Sequence, residues 1–251
     1  MRNQKTRLYA IPYSPWSEKA RWALDHHRTR YEEIGHQLFV GDVRLRLLLR
    51  KPTGRVTVPL LDDGGVLFTD SFDIARHADS IGAGPKLFPA GHEAEIAEWN
   101  RRSEAALGAL RAIMILRLLD DPEAGRAAMP RVIPGAVVPL LLPVARAAME
   151  RFAAKYDMRA GAASHRAVAE ENLDMLEKAL PEGRRYLIGD AFSYADITMA
   201  LAFQGVSPVD KRYMPTGPGG RWGWSNPELA EKYARLVTWR DELYQKHRRW
   251  G

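Results

Sequence analysis

The chain has 251 residues, of which 46% are hydrophobic, with 37 basic and 31 acidic side chains and no cysteine. That length can bury a sizeable core, as one large domain or two small ones. The absence of cysteine excludes disulfides, thiolate–metal sites and a cysteine nucleophile. The net charge of +6 divides as +3 over residues 1–85 and +3 over residues 86–251. It is therefore spread along the chain rather than gathered into the basic arm or patch of a nucleic-acid binder. The opening residues run into a strand with no apolar signal core, so a cytoplasmic location is expected. Residues 133–145 are the most apolar stretch, but Pro134, Pro139 and Pro143 interrupt them. They also fall short of the ~20 apolar residues of a membrane helix, and no membrane partner is expected.

In chain order, residues 7–11 read as a strand and 16–28 as a helix with Ala20, Ala23 and Leu24 on one face. Residues 31–37 read as a second strand and 43–50 as a second helix. Strands at 57–61 and 66–69 are separated by Asp62-Asp-Gly-Gly65, a strong hairpin signal, and 70–80 is a helix opening on Asp and Ser. The order β-α-β-α-β-β-α implies a small mixed sheet with helices on its faces. Residues 82–92, rich in Gly and Pro, read as a linker. Beyond it the periodicity is helical over 93–119, 136–157, 163–180, 193–204 and 227–248. Lys246-His-Arg-Arg249 ends the last of these, where cations suit the helix dipole. The domains expected are thus 1–81, a linker at 82–92 and an all-helical 93–251.

Chemistry gathers at Tyr9-Ala-Ile-Pro-Tyr-Ser-Pro-Trp-Ser17. Pro15 fits a first helical position, where its missing N–H costs nothing. Ser14 then sits where a hydroxyl and several free backbone N–H groups converge, a place that favours a bound anion or thiolate. The plain alternative is a helix cap worth about 1 kcal/mol. Tyr13 lies on the same turn, and Ser17 lies one turn inward, where its hydroxyl is expected to bond backbone. Asp70 and Ser71 open another helix and carry the same two readings. Ser193 and Asp196 form an S-x-x-D capping box, with Phe192 and Ile197 placed as a hydrophobic staple; this pattern reads as folding. The seven histidines include no pair at metal-ligand spacing with a helper carboxylate, so no metal is expected.

The chain resembles the cytosolic glutathione transferase superfamily, in its serine form, over nearly its whole length. Four stretches in order carry the resemblance: Tyr13-Ser-Pro-Trp-Ser17, Gly54-Arg-Val-Thr-Val-Pro-Leu-Leu61, Thr69-Asp-Ser-Phe-Asp-Ile74 and Gly189-Asp-Ala-Phe-Ser-Tyr-Ala-Asp-Ile197. The resemblance implies a thioredoxin-like N-terminal domain followed by a glutathione-transferase-type helical domain. It implies glutathione as co-substrate, Ser14 as the catalytic residue and Tyr13 or Ser17 as alternatives. Val58, before a cis Pro59, would pair with the glutathione backbone, and Asp70 and Ser71 would hold its γ-glutamyl end. Thr57 stands where the family often has a lysine for the glycyl carboxylate; Arg55 or Lys51 could take that role. Trp16, Ile113, Met114 and Arg117 would line the second-substrate pocket, with Trp222 and Trp224 more often packing than wall.

A free thiol with a pKa near ~8.5 is only roughly 3% thiolate at neutral pH. A hydroxyl donor at a helix start could bring it to roughly 6–7, with no protein base required. The expected function is therefore a glutathione transferase attacking a small hydrophobic electrophile, as in detoxification, and by resemblance a homodimer. The alternative is a non-catalytic member that binds a ligand or a protein. Without cysteine, thiol-transferase and reductase chemistry is excluded.

Overall fold

The computed structural model describes residues 5–37, 41–127 and 135–248. The chain forms two compact units: Met1–Asn100 with Tyr186–Leu201 and Glu242–Gly251, and Arg101–Arg185 with Ala202–Asp241.

The first unit opens with β1 (Arg7–Ala10), α1 (Pro15–His26), β2 (Glu32–Gly35), α2 (Asp42–Leu49), β3 (Leu60–Asp63), β4 (Val66–Phe68) and α3 (Ser71–Ile81). The strands form one sheet in the order β2-β1-β3-β4. β1 and β2 are parallel, while β3 is antiparallel to both β1 and β4. Alternation along the strands sorts the core into two layers. Leu8, Ala10 and Leu61 face Ala20 and Leu24 of α1 and Ile74 and Ala78 of α3. Tyr9 and Leu60 point the other way, toward Leu45 of α2 and Val56. This is the thioredoxin-like arrangement that the element order implies.

Two boundaries shift for local reasons. β3 starts at Leu60 rather than at 57, because Pro59 has no N–H to give the ladder; the Val58–Pro59 peptide is cis. The hairpin is tighter than its four-residue signal: Asp63 pairs with Val66, leaving Gly64 and Gly65 as the loop, both at positive φ. The Asp62 carboxylate accepts the Gly65 N–H at 2.8 Å, which fixes the turn.

Residues 82–92 hold no helix or strand. The remaining elements are α4 (Glu93–Asp120), α5 (Pro122–Ala127), α6 (Val138–Lys155), α7 (His165–Ala179), α8 (Tyr194–Ala202), α9 (Pro218–Trp224), α10 (Pro227–Lys232) and α11 (Ala234–His247). The predicted helix at 227–248 is two helices. Tyr233, fully buried, leaves helical geometry at φ −108 and ψ 29, and its hydroxyl donates to Asp174 at 2.6 Å. The short α5 and α9 were not foreseen, since Gly125, Gly219, Gly220 and Gly223 suppress any helical signal there. In the second unit Ala112, Ile115 and Leu119 of α4 pack with Ala153 of α6 and Met158. Gly205 and Gly223 approach α4 closely: a Cβ added to Gly205 would lie 2.5 Å from Leu110 Cβ, and one on Gly223 3.0 Å from Met114 Cγ.

The predicted capping box forms through its Asp196 half, fully buried, with the Ser193 hydroxyl donating to the carboxylate. The Asp196 carboxylate accepts the Ser193 N–H (2.8 Å), the Ser193 hydroxyl (2.9 Å) and the Leu187 N–H (2.8 Å). Phe192 packs in an aromatic group, stacked on His247 at 4.0 Å and tilted against Trp22. The basic chain end differs from the dipole reading. Arg248 turns inward and pairs with Glu18 and Asp25 of α1, each at 2.6 Å; Arg249 lies outside the described residues, as do residues 130–134 of the proline-rich stretch.

Candidate functional site in the first unit

The strand register places three loops together. Tyr9 pairs with Leu60, and Leu61 pairs with Phe68. The end of β1, the start of β3 and the end of β4 therefore share one end of the sheet. The Ser14 turn follows β1, Val58 and Pro59 precede β3, and Asp70 and Ser71 follow β4. Most of the predicted glutathione residues are thus gathered by the fold from three separate stretches of sequence.

The first loop closes when the Ser14 N–H donates to the Ile11 carbonyl at 3.1 Å. Ser14 has extended backbone geometry, and Pro15 opens α1. The Ser14 carbonyl accepts the Glu18 N–H at 2.9 Å, while its hydroxyl accepts the Ser17 N–H at a long 3.5 Å. Such a contact is weak, and it uses the hydroxyl only as an acceptor, leaving the O–H proton free to be donated. Ser14 is half-buried.

Its two alternatives are placed differently. Ser17 is fully buried, and its hydroxyl accepts the Ile11 N–H at 3.1 Å, tying the turn from inside. Tyr13 is 49% exposed. Desolvation pushes its phenol above the ordinary value, so it remains a protonated donor at neutral pH. Arg21, one turn further along α1, braces the same turn. Its guanidinium donates to the Ile11 carbonyl at 3.0 Å and lies 3.5 Å from that of Pro12. It also holds Glu33 through two bonds of 2.7 and 2.8 Å.

The second loop presents the cis Val58–Pro59 bond. The Val58 side chain packs on the core layer of Tyr9, Leu45, Val56 and Leu60. Arg55 and Lys51 are exposed. In the third loop Asp70 caps α3, its carboxylate accepting the Phe72 N–H at 2.7 Å. Ser71 is 2% exposed, and its hydroxyl has no hydrogen-bond partner among the described residues. A buried hydroxyl left unpaired costs about 1–3 kcal/mol. Here it stands at the N-terminal turn of an 11-residue helix, where an anion is favoured.

The predicted second-substrate residues divide between the units. Trp16 belongs to α1 of the first unit; Ile113, Met114 and Arg117 lie on α4 in the second. Ile113 and Met114 are partly buried. Arg117 is held in place: it donates to the Ser225 carbonyl (2.8 Å) and to Asn226 Oδ1 (2.9 Å), and lies over the Trp222 ring. Trp224 is buried, whereas Trp222 is 46% exposed. Among the described residues no three His, Asp or Glu side chains cluster to hold a metal ion, and no helix is long and apolar enough to cross a membrane.

Arg21, Glu18 and Arg248 were missed by sequence reasoning. The spacing of Glu18 and Arg21 signalled only a helix-surface pair, and nothing local connects position 18 with position 248.

The family models agree with this architecture. The glutathione S-transferase N-terminal domain matches residues 8–86 and the glutathione S-transferase C-terminal domain matches residues 143–242. Matched in that order over most of its length, the chain belongs to the cytosolic glutathione transferase superfamily. Among solved structures it is similar to glutathione transferase GSTFuA2 from Phanerochaete chrysosporium, at 18% identity and a TM-score of 0.66, covering 99% of this chain and 100% of that one. It is also similar to a glutathione S-transferase from Methylobacterium radiotolerans in complex with glutathione sulfonate, at 18% identity, TM-score 0.59, and 97% and 92% coverage. A third is a glutathione S-transferase of Ceriporiopsis subvermispora in complex with glutathione, at 19% identity, TM-score 0.56, and 93% and 98% coverage. No curated protein matches the sequence.

Proposed function

We propose that the protein is a serine-type glutathione transferase. The observation that carries this reading is the unpaired, buried Ser71 hydroxyl at the α3 N-terminus, at the same sheet end as the Ser14 turn and the cis Val58–Pro59 bond. A carboxylate docked there relieves the orphaned hydroxyl and meets the helix dipole, as the γ-glutamyl carboxylate of glutathione would. Asp70 then faces the α-ammonium, Val58 offers its backbone to the peptide, and Arg55 serves the glycyl carboxylate.

Ser14 donates its hydroxyl proton to the glutathione sulfur. The Ser14 contact is a hydrogen bond in which the hydroxyl keeps its proton; the α1 N-terminus adds its dipole, and the thiol releases its own proton to water without a protein base. The thiolate attacks a small hydrophobic electrophile, forms the S–C bond and expels the leaving group or pushes charge into the acceptor. Ile113, Met114 and Arg117 of the second unit are the proposed walls for that substrate. Members solved with glutathione or its sulfonate support glutathione as the ligand. We take a cytoplasmic homodimer with a detoxification role as the working form of the protein.

A non-catalytic, ligand-binding role is the second reading, favoured by Thr57 in the position where a lysine would hold the glycyl carboxylate. Calorimetric titration of glutathione into the wild type and Ser14→Ala, with thiolate absorbance followed against pH, separates the two. Binding by both, with a lowered thiol pKa in the wild type alone, is expected. Binding with no lowering of the pKa, or no binding at millimolar glutathione, overturns the transferase reading and favours the non-catalytic role.

A further inference from the structure

A buried ionic chain runs from the last described residue to the Ser14 turn. Arg248 Nε donates to Glu18 Oε1 and its Nη1 to Asp25 Oδ2, both at 2.6 Å. The side chains of Arg248 and Glu18 are 3% and 1% exposed. The second Glu18 oxygen lies 3.4 Å from Arg21 Nη1. Arg21 in turn donates to the Ile11 carbonyl and approaches that of Pro12. Asp25 is completed by the Tyr31 hydroxyl at 3.0 Å. Three carboxylates, of Glu18, Asp25 and Glu33, thus share two guanidinium groups, and one of these also holds the turn that carries Ser14.

We propose that Arg248 is a positioning residue for the Ser14 turn, acting through the buried Glu18 carboxylate and Arg21. Its place in catalysis rests on the transferase reading above; its hold on the turn does not. With Arg248 present, Glu18 is satisfied and Arg21 can keep its fork on the Ile11 and Pro12 carbonyls. With Arg248 removed, Glu18 is left buried with Arg21 as its remaining cation among the described residues. A buried carboxylate that loses one cation pulls hard on the other. Arg21 is drawn toward Glu18 and away from the carbonyls, and the turn loosens. The same loss removes a positive charge close to the α1 N-terminus, which disfavours a thiolate bound there. The pairing is two-pronged, a geometry that a guanidinium provides and an ammonium does not.

The test uses Arg248→Met and Arg248→Lys in the full chain, with circular dichroism to establish folding. In Arg248→Met, amide hydrogen exchange at residues 11–18 should quicken. The thiol pKa of bound glutathione should rise by about one unit, which is about tenfold less thiolate below that pKa. The rate constant kcat should fall about tenfold, with the glutathione KM changed far less, since a small misplacement of a catalytic group affects the chemical step first. Arg248→Lys should recover part of each effect. A folded Arg248→Met with wild-type exchange at 11–18 and a wild-type thiol pKa overturns the proposal, because a merely structural residue would lower the melting temperature alone. If Arg248→Met does not fold, the same readouts on Arg248→Lys decide: partial shifts support the proposal, none overturns it. If the wild type binds no glutathione, the transferase reading fails, and exchange at 11–18 alone decides whether Arg248 holds the turn.

Discussion

Two serines stand immediately before helices of the first unit, and they are held in opposite ways. Ser193 lies before α8, fully buried, with both its N–H and its hydroxyl donated to Asp196 at 2.8–2.9 Å. Ser14 lies before α1, half-buried, and its hydroxyl only accepts, from one amide at 3.5 Å. A hydroxyl whose proton is already given to a buried carboxylate is part of the fold. One that accepts weakly still has its proton to give, at the positive end of a helix. Sequence presents the same residue type before a helix in both places; what the proton is doing separates them. Ser71 is a third case, buried but unpaired.

The sharpest break of this contrast is Asp196→Ala. It strips the Ser193 and Leu187 amides and the Ser193 hydroxyl of their acceptor, and three buried donors left unpaired should cost about 3 kcal/mol or more. Urea unfolding measures this, and activity per folded molecule should not change; a loss below about 1 kcal/mol would contradict the structural role. Ser14→Ala should do the reverse. The donor to the thiolate is lost, and kcat/KM should fall on the order of a hundredfold, while stability drops by less than about 1 kcal/mol because the cap bond is long. Next comes Ser71→Ala, which should weaken glutathione binding about tenfold by calorimetry, the loss of one charge-assisted bond. It should leave stability equal or slightly higher, since the deleted hydroxyl was unpaired.

A pH slope tests the same buried carboxylate. Burial pushes the Asp196 carboxyl up to about 6, against the opposing bonds from Leu187 and Ser193. Its unfolded value is ~3.9. Between the two the native state holds a proton that the unfolded state has released, so Asp196 contributes stability at low pH that is lost as pH rises through about 6. Melting temperatures across that window should show this downward component in the wild type and not in Asp196→Asn. Asp63 carries the opposite sign. The Thr6 hydroxyl at 2.6 Å, with His77 behind it, holds its carboxyl below the usual range. Its contribution is present above the unfolded value and is lost as pH falls through the lowered one.

Much of this was legible because it is local. Two adjacent glycines after alternating apolar residues announce a hairpin, and Pro15 after Ser14 announces a helix start. The element order to residue 81 required only periodicity, and the family stretches fixed which loops meet at the sheet end. What was not legible is long-range or hidden by composition. The Arg248–Glu18 pair joins positions 230 residues apart, and charges at a helix end read equally well as dipole partners. That the Ser71 hydroxyl has no partner among the described residues is a property of packing, which no spacing encodes. The break at Tyr233 follows from a hydroxyl reaching Asp174, and α9 is written in glycines that ordinarily argue against a helix.

Those glycines also bear on how this unit can diversify. Gly205 and Gly223 meet Leu110 and Met114 with room for a hydrogen and little else. Two backbone segments therefore rest directly on α4, one turn apart. On the proposed function, variation in what α4 lines comes from exchanging its side chains. Gly223→Ala is the exception, a one-methyl wedge that would displace the Met114 side chain from behind by a few tenths of an ångström.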